Sequence, residues 1–312
     1  MQAREQEPIA VTGANGALGR ALCARALAEH RSLRAIVRSK RAETMLRAAN
    51  LAPSSLLEIR RVDFNDPADL AAALRDCSGV IHLVGILKET AAMRYTDAHE
   101  IACSALARAA EKARCERIVY VSLFGADPAA TNICLASKGR AEQILLQCCT
   151  PVAVLRVPIV LSPTFTAAHR LRRCARARSV PLIDGGKTRE QPLDADDLIA
   201  ALFAALHLPR DKNTVLELGG PESLTRRDLV LRCAALRGGA PHILNIPGAW
   251  ARAAARVAEH VFANPPITRP MLEILGRDAD VDPNPACHAL DMKLTPLDTT
   301  LRRCLCLEKQ TL

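Results

Sequence analysis

Aromatic side chains are scarce in this chain of 312 residues, at 3% of the sequence, with one Trp, two Tyr and five Phe. A surface that stacks on bases needs rings set among cations, and no recognised nucleic-acid-binding motif is present either, so nucleic acid is not an expected partner. The interior must be built from Leu, Ala, Val and Ile. Apolar residues make up 49% of the chain, enough for one large core or two linked ones. Long apolar runs are missing: residues 198–206 are apolar but far shorter than the ~20 that span a bilayer. Metal-ligand spacing is missing too. The twelve cysteines include no Cys-x-x-Cys pair and no His-x-x-x-His accompanies them, so no metal centre is expected. Cys148 and Cys149 are neighbours and Cys304 and Cys306 flank one residue. Others, such as Cys23, Cys103 and Cys233, fall in Ala/Leu-rich helical patterns where a thiol acts as a small apolar group, which implies reduced cysteines and a reducing compartment. Residues Met1 to Pro8 carry two acids and no apolar run, fitting neither a secretory signal nor a transit peptide.

Positive charge is in excess, with 42 Lys and Arg against 33 Asp and Glu and a net charge of +9. That favours anionic partners: a dinucleotide phosphate, an acidic protein surface or anionic lipid.

The chain is organised around Ile9 to Arg20, Ile-Ala-Val-Thr-Gly-Ala-Asn-Gly-Ala-Leu-Gly-Arg. An apolar strand breaks into three glycines spaced three apart and then becomes a helix. Gly13 lets the strand reverse, Gly16 lets backbone N–H groups approach a pyrophosphate, and Gly19 lets the helix pack close to the strand. The pyrophosphate would rest on the unpaired N–H groups and positive dipole end of that helix. The alternative is a tight strand-to-helix turn that binds nothing. The spacing is similar to that of the extended and atypical short-chain dehydrogenase/reductases.

Helical periodicity covers Ala17 to His30, and Leu33 to Val37 reads as a second strand. It ends in Arg38-Ser39-Lys40-Arg41, where an NAD-selective site usually carries an acid for the ribose 2′-hydroxyl. Cations here suit a 2′-phosphate, so NADP(H) is expected over NAD(H), unless the run is simply a solvated loop. Leu57 to Val62 gives a third strand. Asp63 after it is either an acceptor for the adenine amino group, with Phe64 beside the ring, or part of the cap of a helix from Pro67 to Asp76. Gly79 to Gly85 forms a fourth strand with a core histidine, His82, and its end at Val84 and Gly85 is small enough for a ribose to pass. A long helix over 96–113 leads to a fifth strand, Arg117 to Ser122, and Val152 to Val157 gives a sixth, stopped by Pro158. The alternation implies an α/β fold: a doubly wound parallel-sheet Rossmann domain with a small mixed C-terminal lobe. The expected boundaries are 8–160 plus about 190–220 for the Rossmann domain, and about 161–189 with 221–312 for the lobe.

Beyond residue 160 the pattern loosens. Arg170, Arg172, Arg173, Arg176 and Arg178 crowd one helix and cover much of its circumference. They form either a solvated face or a contact for an acidic partner or lipid headgroups. Asp184-Gly185-Gly186 reads as a turn, 192–207 as a short segment and a helix, 215–218 as a last strand, and 225–236 as a helix. From Pro247 the chain is helix and loop. Trp250, Ala254, Val257 and Val261 share one face, which is expected to pack into the lobe, with lying on a membrane as the alternative.

Short-chain reductases set a tyrosine four residues before a lysine on the helix after the fifth strand, with a serine near that strand's end. Here Lys138 is in place and Ser122 is available, but Cys134 stands where the tyrosine would be. A thiol with a reference pKa of about 8.5, against about 10 for a phenol, is acidic enough, yet its sulfur falls several ångströms short of contact at about 3 Å. Tyr95 begins a helix and Tyr120 lies in a strand, and neither has a lysine four residues on. The catalytic set is therefore empty apart from Lys138, Cys134 and Ser122. The expected cofactor contacts are Thr12, Gly13, Asn15, Gly16, Ala17, Leu18, Gly19, Arg38, Ser39, Lys40, Asp63, Phe64, Val84, Gly85, Lys138 and Pro158.

Several further stretches are similar to the nucleotide-binding accessory subunit family of respiratory complex I and its bacterial relatives: Val80 to Leu87, Ser137-Lys-Gly139 with Glu142-Gln143, Pro181 to Pro192, Leu216 to Glu222, Ile267 to Leu275 and Leu294 to Leu297. The similarity extends over about Ile9 to Leu305. It implies an NADP(H)-binding Rossmann domain with a small C-terminal lobe, a structural role for the nucleotide, and a protein partner, a membrane-bound respiratory complex. It implies a cytoplasmic protein, peripheral on the inner face of the membrane, or one of the mitochondrial matrix. Two departures stand out: Cys134 for the tyrosine that many relatives keep, and Arg156-Val157-Pro158 where an Arg-Pro pair is usual. An accessory protein rather than a conventional oxidoreductase is the leading expectation. The alternatives are an atypical NADPH-dependent reductase or isomerase for a quinone-related or other apolar carbonyl compound, and a regulator that changes partners with the redox state of NADP(H).

Overall fold

Short apolar runs separated by helices line up in one sheet of seven strands. The structure is a computed structural model describing residues 7–49, 55–64, 66–90, 93–262 and 264–306, without the side chain of Cys306. The leader segment considered above lies largely outside the described residues, as do 307–312 of the lobe. The described residues of one compact unit fall in 7–89, 93–156 and 199–216, and those of a second in 90, 157–198 and 217–306.

In the first unit the elements run β1 (Ile9–Thr12), α1 (Ala17–Ala28), β2 (Leu33–Val37), α2 (Lys40–Arg47), β3 (Leu57–Arg61), α3 (Pro67–Leu74) and β4 (Val80–His82). A π-helical segment (Thr96–Ile101) runs into α4 (Ala102–Ala113), followed by β5 (Ile118–Leu123), α5 (Ile133–Leu146) and β6 (Val152–Val157). Strand order is β11-β6-β5-β4-β1-β2-β3, where β11 is Thr214–Glu217. The pairs β1–β2, β1–β4, β2–β3 and β4–β5 are parallel, with Thr12 beside both Ile36 and His82. This is the doubly wound order, and its reversal point lies at the ends of β1 and β4. Leu70, Leu74, Cys103, Leu106 and Val154 share a buried cluster, with Phe64 packed against it.

Local chemistry sets the helix starts. Ser39, Asp66 and Asn132 cap α2, α3 and α5 by accepting backbone N–H groups. By contrast, α1 starts on Gly16 with no side-chain cap and no acid in its first turn. Two expectations change here. The fourth strand is only three residues long: past Leu83, whose N–H still donates to the Thr12 carbonyl, the chain departs from the ladder and Gly85 to Leu87 line a cleft. The helix over 96–113 opens with the wider π-helical turn.

The second unit comprises β7 (Val160–Leu161), α6 (Thr166–Arg176), β8 (Ser179–Ile183), β9 (Arg189–Glu190), β10 (Leu193–Asp194) and the start of α7 (Ala195–Ala205). After β11 follow β12 (Leu224–Thr225), α8 (Arg226–Ala235), β13 (His242–Ile246), α9 (Gly248–Val261), α10 (Arg269–Leu275), α11 (Asn284–Ala289) and α12 (Leu297–Cys306). Leu171, Leu229, Cys233 and Leu301 anchor its core. The parallel pair of β8 and β13 was not expected from sequence. Two readings are corrected. Arg172 is 5% exposed and donates to the carbonyls of Pro163 and Cys304, so it is withdrawn from any lipid-facing set, leaving Arg170, Arg173, Arg176 and Arg178 exposed. The α9 face does not pack into the lobe: Trp250 is 75%, Val257 62% and Val261 67% exposed, while Gly248 and Ala255 are buried on the other side.

Candidate nucleotide-binding site

The uncapped start of α1 and the ends of β4 and β5 enclose a cleft of about 240 Å³ in the first unit. Gly13, Gly16, Ala17, Leu18 and Gly19 form one wall, Leu83 and Gly85 to Leu87 another, and Val121 to Leu123 with Lys138 a third. Gly13 has φ +71°, which an L side chain adopts only with strain. A Cβ on Gly19 would fall 2.5 Å from the Gly13 oxygen, so α1 approaches β1 as closely as backbone allows. The first N–H groups of a helix have no intrahelical acceptor, and here no side chain of the chain itself supplies one at the N-cap. That arrangement fits a pyrophosphate.

Around the glycine turn, Thr12 is buried with its Oγ1 2.7 Å from His82 Nδ1. Asn15 accepts from the Arg20 guanidinium through its backbone oxygen. Arg38 and Lys40 are exposed at the end of β2 and the start of α2, and Ser39 uses an Oγ lone pair for the Ala42 N–H, leaving its O–H as a donor. Of the adenine-side candidates, Asp63 donates its backbone N–H to Asp69, and the Phe64 side chain is engaged with the core. Val84 abuts the glycine turn, its nitrogen 3.1 Å from where a Gly13 Cβ would be. Pro158 follows β6 and belongs to the second unit.

Lys138 is fixed by its helix. Glu100 accepts from Ser137 at 2.8 Å and from Arg140 through both oxygens, clamping α5 to the π-helical segment. Gly139 lets the 127–128 backbone lie against the helix at the next position. The Lys138 amine is 5% exposed and donates to the Tyr120 hydroxyl and the Val121 carbonyl, each at 2.9 Å. Burial pulls its pKa down to about 8, with nearby thiols and Glu142 opposing. Burial, and then the Lys138 charge, lower His82 and His99 to about 3, so both rings are neutral. Burial raises the Cys134 thiol to about 11, so it remains a thiol and not a thiolate. Ser122 Oγ is buried on the cleft wall with no hydrogen-bond partner among the described residues, a polar atom that a ligand at this end can satisfy.

Sequence reasoning missed three residues here: Tyr120 on Lys138, Tyr95 against Cys134, and His99, whose Nε2 accepts from the Ile86 N–H at 3.1 Å. A usable signal existed for one of them. The strand period of two puts Tyr120 on the same face of β5 as Ser122.

Residues 13–159 match the model of an NAD(P)H-binding family. This part of the chain is similar to the NAD(P)H-binding domains of that family. Its sequence is 27% identical over 224 residues to the mitochondrial NADH dehydrogenase [ubiquinone] 1 alpha subcomplex subunit 9 of Arabidopsis thaliana, covering 70% of this chain. The chain spans 55% of that subunit's length. A second relative is the 4-hydroxy-2-methyl-3-oxo-4-farnesyl-3,4-dihydroquinoline-1-oxide ketoreductase of Stigmatella aurantiaca, 25% identical over 90% of each chain. In fold, the chain is similar to UDP-glucuronic acid 4-epimerase from Bacillus cereus in complex with UDP-glucuronic acid and NAD, with TM-score 0.73, 18% identity and coverage of 98% and 100%. That likeness is one of fold: a parallel-sheet α/β domain accompanied by small additional sheets. Among the described residues no group of His, Cys, Asp and Glu could hold a metal ion, and no helix is long and apolar enough to cross a membrane.

Proposed function

We propose that this protein binds NADP(H) in preference to NAD(H) and keeps it as a fixed part of an assembly with a protein partner, a membrane-bound respiratory complex, without steady turnover. The observation that carries the reading is the state of the acid–base machinery. Cys134 replaces the phenol, and two of the three N–H donors of the Lys138 ammonium are taken by Tyr120 and Val121. A ligand bound only by the folded protein stabilises it without chemistry. Support for the phosphate preference comes from exposed Arg38 and Lys40 beside the Ser39 hydroxyl, with no acid among them. The cofactor would be held by residues 8–160 with about 190–220, and the lobe, 161–189 and 221–312, would carry partner contacts through the exposed α9 face and Arg170, Arg173, Arg176 and Arg178. The location proposed is cytoplasmic and peripheral to the inner face of a membrane, or the mitochondrial matrix.

Calorimetry with NADPH and NADH on the wild type and Arg38→Glu tests this. NADPH is expected to bind more tightly to the wild type by tenfold or more, about 1.4 kcal/mol, with the preference lost in the variant. Equal affinities in the wild type would end the phosphate argument, and no binding of either would end the whole reading.

A second reading is an NADPH-dependent reductase for an apolar carbonyl compound. Leu87, 51% exposed, lines the cleft as an apolar side chain open to solvent, and the Stigmatella relative is a ketoreductase. NADPH oxidation with a panel of quinones and prenylated ketones distinguishes the two.

A further inference from the structure

The chain has two phenols, both buried and each bonded to a residue that lines the cleft, Leu87 or Lys138. Tyr120 lies in β5, fully buried, with its oxygen taken by Lys138. Tyr95 comes from the opposite direction, the segment before the π-helical turn. Its side chain is 4% exposed and its hydroxyl donates to the Leu87 carbonyl at 3.0 Å. Its backbone N–H is fastened to Glu89 at 2.8 Å. The His99 ring stacks on it, with centroids 5.6 Å apart and planes at 28°. The Cys134 thiol is fully buried and donates to the neighbouring Ile86 carbonyl at 3.7 Å.

We propose that Tyr95 and Cys134 are a size-matched pair in which Tyr95 seals the reactive end of the cleft. Both side chains are buried and converge on adjacent carbonyls, Tyr95 on Leu87 and Cys134 on Ile86, so a longer side chain at 134 has to share this volume with the Tyr95 ring. A phenol at position 134 and the Tyr95 ring compete for one volume, and packed interiors do not accommodate two large groups in a space built for one. The Tyr95 O–H is donated to Leu87 and the Cys134 S–H to Ile86, so neither member of the pair has a proton free for an incoming carbonyl. A cofactor bound in the cleft is shielded from reactants on this side. The inference deepens the cofactor-holding reading and rests on it for its functional meaning, but the packing claim is testable without any ligand.

The test uses the full chain with Tyr95→Phe, Tyr95→Ala, Cys134→Tyr and Tyr95→Ala/Cys134→Tyr. Iodoacetamide labelling of the folded, ligand-free protein is followed site by site by mass spectrometry, with exposed Cys149 as the internal standard. Cys134 is expected to stay protected in the wild type and in Tyr95→Phe, which keeps the ring. It should label about tenfold faster or more in Tyr95→Ala, since a buried thiol reacts only when its cover opens. Cys134→Tyr alone should lower Tm by about 5 °C, and the double variant should recover most of that loss. Additive Tm changes, or a folded Tyr95→Ala protein in which Cys134 remains as protected as in the wild type, would overturn the pairing. So would wild-type reduction of a small aldehyde that Tyr95→Phe abolishes, because substrate would then be reaching the phenol. NADPH affinity measured in the same variants stands apart: its absence removes the cofactor reading and leaves the labelling result intact.

Discussion

Replacing Lys138 with methionine keeps the length of the side chain and removes its titration. The amine falls from 10.5 to about 8 on folding because burial disfavours the ammonium. Below pH 8 the folded and unfolded chains both carry this proton, so wild type and variant differ by a constant. Between pH 8 and 10.5 the folded chain releases the proton while the unfolded chain keeps it. The unfolded state then binds more protons, and wild-type stability rises with pH. At 1.36 kcal/mol per unit, the wild type should gain about 2 kcal/mol on Lys138→Met between pH 8 and 9.5. Other groups titrating in that window cancel in the difference. Urea unfolding of ligand-free protein at half-unit steps measures it. NADPH affinity should move the other way, weakening in the wild type as the ammonium is lost above pH 8 and staying level in the variant. Parallel stability curves across this range would mean the amine is not buried as described, and the argument for the cleft's electrostatics would fail.

Gly139→Ala would drive a methyl group into the Asp127 carbonyl carbon and the Pro128 nitrogen, where backbone must yield. It is expected to cost about 3 kcal/mol in denaturant unfolding and to weaken NADPH binding by displacing Lys138. Gly19→Ala meets the Gly13 oxygen and Ala14 and should cost about 2 kcal/mol while abolishing most nucleotide affinity; an unchanged Kd would remove the glycine turn from the site. Arg172→Met leaves the Pro163 and Cys304 carbonyls without their donor and should lower stability by about 2 kcal/mol. Binding to anionic vesicles, measured by sedimentation, should not change in that variant, since the guanidinium is buried.

Much of the first unit was legible because its signals are local. Apolar runs flanked by glycine and proline, a glycine triplet at the first turn and the lysine on α5 each reside within a few consecutive residues. Val152–Val157 was read to the residue. Signals that depend on distant partners were not legible. Strands β8 and β13 are short, and only their pairing makes Ser179–Ile183 and His242–Ile246 a ladder. Arg172 shares its helix with three exposed arginines, Arg170, Arg173 and Arg176, and nothing in that spacing marks which of them turns inward to two carbonyls. The α9 stripe reads identically whether it is buried or bare, because periodicity identifies a face without saying what covers it. At the site, the missing tyrosine was evident, but the arrival of Tyr95 from another segment was not.

Residues 199–216 supply the second half of α7 and nearly all of the edge strand β11, and Arg117 in front of β5 is bonded through its guanidinium to the carbonyls of Leu208 and Pro209. The nucleotide-holding sheet is therefore finished by chain made nearly sixty residues after β6, since β6 ends at Val157 and β11 begins at Thr214. A ribosome that has released only the first 160 residues presents six strands, an unpaired edge and a buried arginine with no carbonyls to meet. Vectorial synthesis must hold that intermediate until the returning segment emerges. Nascent-chain proteolysis should accordingly find protection of the early strands delayed past residue 216, and a fragment cut at 160 is a poor starting point for anyone wishing to study the nucleotide site by itself.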